Sequence, residues 1–198
     1  MQTYQNLFKA LTSCLICAGK KDIRYYLNGV HIKQSAYKLI IEATDGHRLI
    51  RFESDDRIHG IDEFDVILDR FAVTQLLNAI KNVNWHKTDV AECTIKNINN
   101  APGNSAGFIE FDILKCELID GRFPDCDRVI WKESEKRPTD EIALNAGYFS
   151  DIYKVITPFN KKNVGLKLQF KSALDSMRFD FDTKTNFSVV GIIMPCRL

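Results

Sequence analysis

The chain has 198 residues and balances 27 Lys and Arg against 26 Asp and Glu, for a net charge of +1. That length holds one sizeable core or two small ones, and the near-neutral balance excludes a global electrostatic drive onto nucleic acid. No apolar run approaches the roughly 20 residues of a membrane span, and Met1-Gln2-Thr3-Tyr4-Gln5-Asn6 lacks the basic and apolar regions of a signal peptide, so no membrane partner and a cytoplasmic location are expected.

In chain order, a first helix is predicted over Tyr4–Ala18, with Leu7, Phe8, Leu11, Cys14, Leu15 and Ala18 on one face and Gly19 as its stop. Strands follow around 23–32, 37–44 and 48–53. A second unit opens with a strand over 63–68 and a helix over Arg70–Asn82, striped by Phe71, Val73, Leu76, Leu77 and Ile80. Strands near 90–98, 108–111 and 114–118 complete it, with the polar segment 99–105 as a loop. The charged stretch Lys132–Pro138 reads as a linker between a domain over 1–131 and one over 139–198. Beyond it come a strand over 141–145, a helix over 148–157, and strands over 164–170, 177–181 and 187–194. Met177, Phe179 and Phe181 alternate with Arg178, Asp180 and Asp182, as on a sheet with one wet face. The whole is an α+β pattern of a helix followed by two or three strands, used three times. The first unit lacks a strand before its helix, so either a neighbouring subunit supplies one or the sheet is narrower there.

Six cysteines raise the question of metal or disulfides. Cys14 and Cys17 form the only close pair and lie on the apolar face of the first helix, whereas a structural zinc site takes about four ligands. Cys93, Cys116, Cys126 and Cys196 are scattered singly. Buried free thiols in a reducing compartment, with no metal and no cofactor, are the expectation.

Two uses are open for the segment Ala43-Thr44-Asp45-Gly46-His47-Arg48-Leu49, where Asp-Gly interrupts a strand and sets His-Arg at a rim. Catalysis would employ Asp45 and His47, two apart on a strand. No nucleophile stands at a recognisable spacing beside them, and the Asp120, Asp125 and Asp127 loop lacks the ligand ladder of a calcium site. Docking of a peptide against the rim explains more, so no catalytic residue is assigned.

Three further stretches bear on the choice: Ile23-Arg24-Tyr25-Tyr26-Leu27-Asn28-Gly29, then Leu118-Ile119-Asp120-Gly121-Arg122-Phe123-Pro124-Asp125 with Arg128-Val129, and the end Ile192-Ile193-Met194-Pro195-Cys196-Arg197-Leu198. With the heptapeptide and in this order, they resemble the bacterial sliding clamp family, the beta subunit of DNA polymerase III. The resemblance implies the DNA-clamp fold, built from strand-helix-strands modules with helices facing DNA and sheets outside. The family has two modules per domain and three domains per chain. This chain resembles the middle domain followed by the second half of the third.

The resemblance also implies a non-enzymatic function, with partner proteins inserting a short hydrophobic motif into a groove. That groove is expected from Leu27, Thr44, Gly46, His47, Arg48, Leu49, Pro124, Arg128, Val129, Asn145, Tyr148 and the run Ile192, Ile193, Met194, Pro195, Cys196, Arg197 and Leu198. Leu27, Leu49, Val129, Ile193 and Met194 would form its floor, Arg128 and Arg197 would pair with the peptide, and Gly46 would admit the peptide backbone. Cys196 departs from the methionine common there. Leu27 and Val129 also read, taken singly, as core residues.

Double-stranded DNA is the second implied partner, touched without sequence preference by Lys9, Lys20, Lys21, Arg24, Tyr25, Lys81, Lys154, Lys161 and Lys162, each of which read alone is a solvated surface residue. Polymerase and other motif-bearing factors, a clamp loader and a homotetrameric ring complete the implied partners. The rival expectation keeps the groove without the ring, as a decoy competing for partner peptides.

Overall fold

The computed structural model describes residues 2–58, 61–82, 95–99, 107–111, 114–138, 141–160 and 165–196, with the side chains of 2–5, 81–82 and 95–99 excepted. The first unit comprises α1 (Gln2–Cys17), β1 (Gly29–Gln34), β2 (Leu39–Thr44) and β3 (Arg48–Ser54). The second comprises β4 (Phe64–Asp69), α2 (Arg70–Asn82), β5 (Ile95–Asn99), β6 (Phe108–Phe111) and β7 (Lys115–Ile119). The third comprises α3 (Ala146–Ile156), β8 (Leu166–Gln169), β9 (Met177–Phe181) and β10 (Ser188–Ile193).

All ten strands join in one sheet, ordered β5-β6-β7-β4-β1-β2-β3-β10-β9-β8. The helices cover one face, and α1 packs against both α2 and α3. Strand alternation sends Val30, Ile32, Leu39, Ile41, Ile50, Phe52, Val66, Leu68, Val189 and Ile193 to that face. There they meet Leu7, Leu11 and Cys14 of α1, Val73 and Leu76 of α2, and Ile152 and Val155 of α3 in one apolar cluster. Fully burying one such aliphatic side chain contributes roughly 1.5–3 kcal/mol.

The sheet crosses from the first unit to the third through six register pairs between β3 and β10, from Ser188 opposite Glu53 to Ile193 opposite Arg48. β3 therefore has its neighbour within the chain, supplied by the third unit. The expected strand over 141–145 reduces to a single bridge between Leu144 and Pro195. The bridge is made by the Cys196 amide donating to the Ala143 carbonyl, and Pro195 has no N–H to continue the ladder. The charged stretch 132–138 forms a 3₁₀ turn at Glu133–Glu135, tied to the third unit by Lys167–Glu133 and Lys171–Glu135 pairs. The first strand begins at Gly29 rather than near Ile23, because a 3₁₀ turn occupies Tyr25–Leu27.

Candidate functional site

The other face of the sheet is where the motif residues meet. Leu49, Ile67, Val190 and Ile192 point outward there, and the loop after β7 lays Phe123 and Cys126 across them as a second apolar cluster. Beside it opens a groove of about 190 Å³, framed by the turn 24–27, the β2–β3 turn, the loop 124–129 and the end of β10. Leu27, Thr44, Gly46, His47, Arg48, Leu49, Pro124, Val129, Ile192 and Met194 all line it. Val129 and Met194 remain 42% and 40% exposed, so the floor of Leu27, Leu49 and Ile192 has an apolar rim open to a partner.

Local chemistry fixes this rim. Asp45 caps the β2–β3 turn by accepting from the backbone N–H groups of His47 and Arg48, at 2.9 and 3.0 Å. Its second oxygen accepts from Arg48 Nε at 3.0 Å. Asp45 is thus spent on the turn and is not a general base for His47. Gly46 sits at φ +88, where a Cβ would also lie 2.7 Å from the Arg24 guanidinium. The turn and this packing both require glycine there.

Arg48 Nη1 donates to Asp151 at 2.6 Å, Nη2 to the Ile16 carbonyl at 2.6 Å, and the guanidinium lies 4.7 Å from the Tyr148 ring centre. Burial is the largest single influence and works against its charge, but the bond to Asp151 together with the nearby charges of Asp45 and Asp151 outweighs it and the pKa is raised. His47 stacks on the same Tyr148 ring, with centroids 6.2 Å apart.

Other expected residues fall beside the groove. Ile193 is a correction: it lies 1% exposed in the helix-side cluster, because neighbours on a strand face opposite ways. Arg128 is exposed and does not itself line the groove, but donates at 3.1 Å to Asp125, which does. Asn145 caps α3 by accepting from Gly147 and Tyr148 N–H. Tyr148 acts through Arg48 and His47. Pro195 and Cys196 hold the chain end against 143–144, and the Met194 amide bonds the His47 carbonyl at 2.8 Å. Arg197 and Leu198 lie outside the described residues.

The expected DNA-facing residues divide. Lys20 and Lys21 are exposed just beyond α1, while Lys9 is half-buried on it. Lys154 is exposed and paired with Asp151 at 2.5 Å. Arg24 lines the groove instead, donating to Asp22 at 2.7 Å and to the Asp45 carbonyl at 3.0 Å, and it holds Asp22 down at about 2. Tyr25 is exposed and packs edge-on against Tyr26. The side chain of Lys81, together with Lys161 and Lys162, lies outside the described residues. Cys14, Cys17, Cys116 and Cys126 are buried thiols and Cys196 is exposed. Among the described residues no cluster of metal-ligating side chains occurs, and no helix is long and apolar enough to cross a membrane.

Sequence reasoning missed a polar row beside the groove: His31 on β1, Glu42 on β2 and Arg51 on β3, directly opposite one another and all buried. The signal was present, since each stands between apolar neighbours on the face opposite the core.

Comparison with known proteins places these features. The family described as DNA polymerase III beta subunit, central domain, matches residues 3–125. The beta sliding clamp of Pseudomonas aeruginosa is 28% identical over 156 residues, covering 79% of this chain and 39% of that protein. That of Buchnera aphidicola is 30% identical over 121 residues, covering 59% of this chain and 29% of that protein. The chain thus spans well under half the length of these relatives.

Among solved structures, a DNA polymerase sliding clamp from Pseudomonas aeruginosa superposes with TM-score 0.71 at 18% identity, over 98% of this chain and 65% of that one. The DNA polymerase III beta subunit of Thermotoga maritima gives 0.69 at 17% identity, over 98% of this chain and 64% of that one. The fold is accordingly the α+β fold of the sliding clamps, and the chain belongs to the DNA polymerase III beta subunit family.

Proposed function

We propose that this chain is a non-enzymatic, clamp-type docking protein of the cytoplasm that takes short apolar peptide segments of polymerase and other replication factors into the Leu27–Met194 groove. The observation that carries this is convergence. Segments from all three units, far apart in sequence, meet on one open apolar groove whose rim is held by dedicated hydrogen bonds. A micromolar peptide corresponds to about −8 kcal/mol, within reach of a few buried aliphatic anchors. Met194→Glu and Val129→Glu place charge on exposed rim positions, which the fold tolerates. Each is expected to weaken a clamp-binding peptide at least about tenfold in calorimetry. Unchanged affinity in both variants would remove the groove from the function.

In this reading the copies close head to tail around duplex DNA as a homotetrameric ring, opened by a loader and held by topology. Among the described residues β5 and β8 are edge strands, and such edges suit a heterologous interface. The division at 132–138 into a two-module domain and a single module belongs to the same proposal.

The decoy reading, a groove without a ring, is favoured by the helix layer. Phe71, Phe149 and Tyr153 are exposed on it, and Lys154 is already paired with a carboxylate. Light scattering and retention on nicked circular DNA separate the two. A monomer of 22.7 kDa with no retention supports the decoy, whereas a tetramer released on linearisation supports the ring.

A further inference from the structure

The loop 123–129 forms one wall of the groove, and it rests on charged side chains. On the outer sheet face, His31 Nδ1 lies 2.8 Å from Glu42 Oε1, and Nε2 lies 2.8 Å from Asp65 Oδ1. The wall stacks Phe123 flat on this imidazole, with centroids 4.6 Å apart and planes 16° from parallel. Glu42 Oε2 accepts from Arg51 Nε at 2.7 Å, and Arg51 Nη1 donates to Asp127 of the wall. Cys126, next to Asp127, is buried against Glu42, and burial pushes its thiol up to about 12. Further charged neighbours are Lys33 on β1, which pairs with Asp65 at 3.2 Å, Glu53 on β3, 3.5 Å from Arg51, Lys38, which pairs with Glu53 at 2.8 Å, and Arg122 and Asp125 at the start of the wall.

A neutral imidazole has one N–H and one lone pair. It can satisfy one of these carboxylates while presenting its lone pair to the other. Only the imidazolium donates to both, and only the imidazolium offers Phe123 a cation to stack on.

We propose that His31 is a positioning residue for the groove: its imidazolium, bridging Glu42 and Asp65 beneath Phe123, fastens the 123–129 wall to the sheet, and loss of its proton loosens that wall. The inference deepens the peptide-docking reading and rests on it for its consequence. The sign follows from the pairing. Burial opposes the charge on His31, but the bonds to Asp65 and Glu42 outweigh it, so the pKa stands above 6.5. The fastening is complete below 6.5 and is lost as pH rises through the raised value.

The test is NMR of the full chain without peptide, following the His31 ring and the amides of Cys126, Asp127 and Val129 across pH. In the wild type the wall amides are expected to shift with the His31 midpoint. In His31→Gln they are expected to lose that transition. Asp65→Asn removes the charge of an exposed partner while keeping its shape, and is expected to lower both midpoints together. Wall amides that ignore the His31 titration, or a wall midpoint that stays put in Asp65→Asn, would overturn the proposal. With a groove peptide lacking titratable side chains, Kd is expected to rise about tenfold from about pH 6 to about pH 9 in the wild type and in His47→Gln, and to stay flat in His31→Gln. A peptide that binds at no pH sinks the docking reading, while the wall amides still decide the role of His31.

Discussion

Arg48 illustrates how one side chain serves both faces of the sheet. It lines the groove, yet its three nitrogens reach Asp45, Asp151 and the Ile16 carbonyl, linking β3 to α3 and α1. Lysine keeps the charge but not the fork, so Arg48→Lys is expected to lose about 1.5–3 kcal/mol of stability in urea denaturation. Gly191 is a second demanding position. A Cβ there would stand 2.0 Å from the buried ring of Phe179, and Gly191→Ala is expected to cost about 1–3 kcal/mol in the same measurement. In the sequence Arg48 stands out for its motif rather than for these bonds, and Gly191 does not stand out. Motif order places Arg48 at a rim without revealing Asp151, over a hundred residues away. Nothing local to Gly191 announces the ring opposite it.

At the end of β10 two neighbouring residues have separate duties. Ile193 packs among the helices and Met194 stands at the groove rim. Ile193→Ala is expected to cost about 2–5 kcal/mol in stability while leaving peptide affinity in the remaining folded protein unchanged. Met194→Ala is expected to do the reverse, weakening the peptide with a shift in stability below about 0.5 kcal/mol. Thermal unfolding beside calorimetry of both variants checks the pair. Elements with strong periodicity were legible: α2 runs from Arg70 to Asn82 and β9 from Met177 to Phe181 as their patterns require. The strand ahead of α3 was not, because its Ile142–Leu144 run satisfies the strand pattern while the only partner available ends in proline. The row His31, Glu42, Arg51 escaped notice because charged residues at alternate positions read as a solvated face until a loop is seen to cover them.

At the scale of the whole molecule, one apolar cluster runs through all three helices and one sheet through all three units. Chemical denaturation is therefore expected to show a single transition, coincident by circular dichroism and tryptophan fluorescence. A fragment ending at 131 is expected to lose that cooperativity, since it bares the edge of β3 and the face of α1 that meets α3. Two well-separated transitions in the full chain would contradict this. Acid acts on the same assembly: His31 holds Asp65 down at about 2, so its contribution is present above 3.8 and fades as pH falls toward 2. The order of modules was legible from recurring motifs. The continuity between the first and last was not, because β3 and β10 carry no mark of their mutual register beyond ordinary strand alternation.

The pairing of β3 with β10 also sets a schedule. Glu53 and Ser188 bond across a separation of 135 positions, and the His47 carbonyl waits for the Met194 amide. While the chain is being made, the turn carrying His47 and the loop carrying Val129 leave the ribosome long before the strand that completes the groove. Nascent protein therefore has the rim residues but no cleft, and its β3 edge stays unpaired until β10 arrives. Under the docking proposal, competence to capture a partner arrives in one step, when the residues of β10 emerge and zip against β3, so completion of the fold times the first docking event.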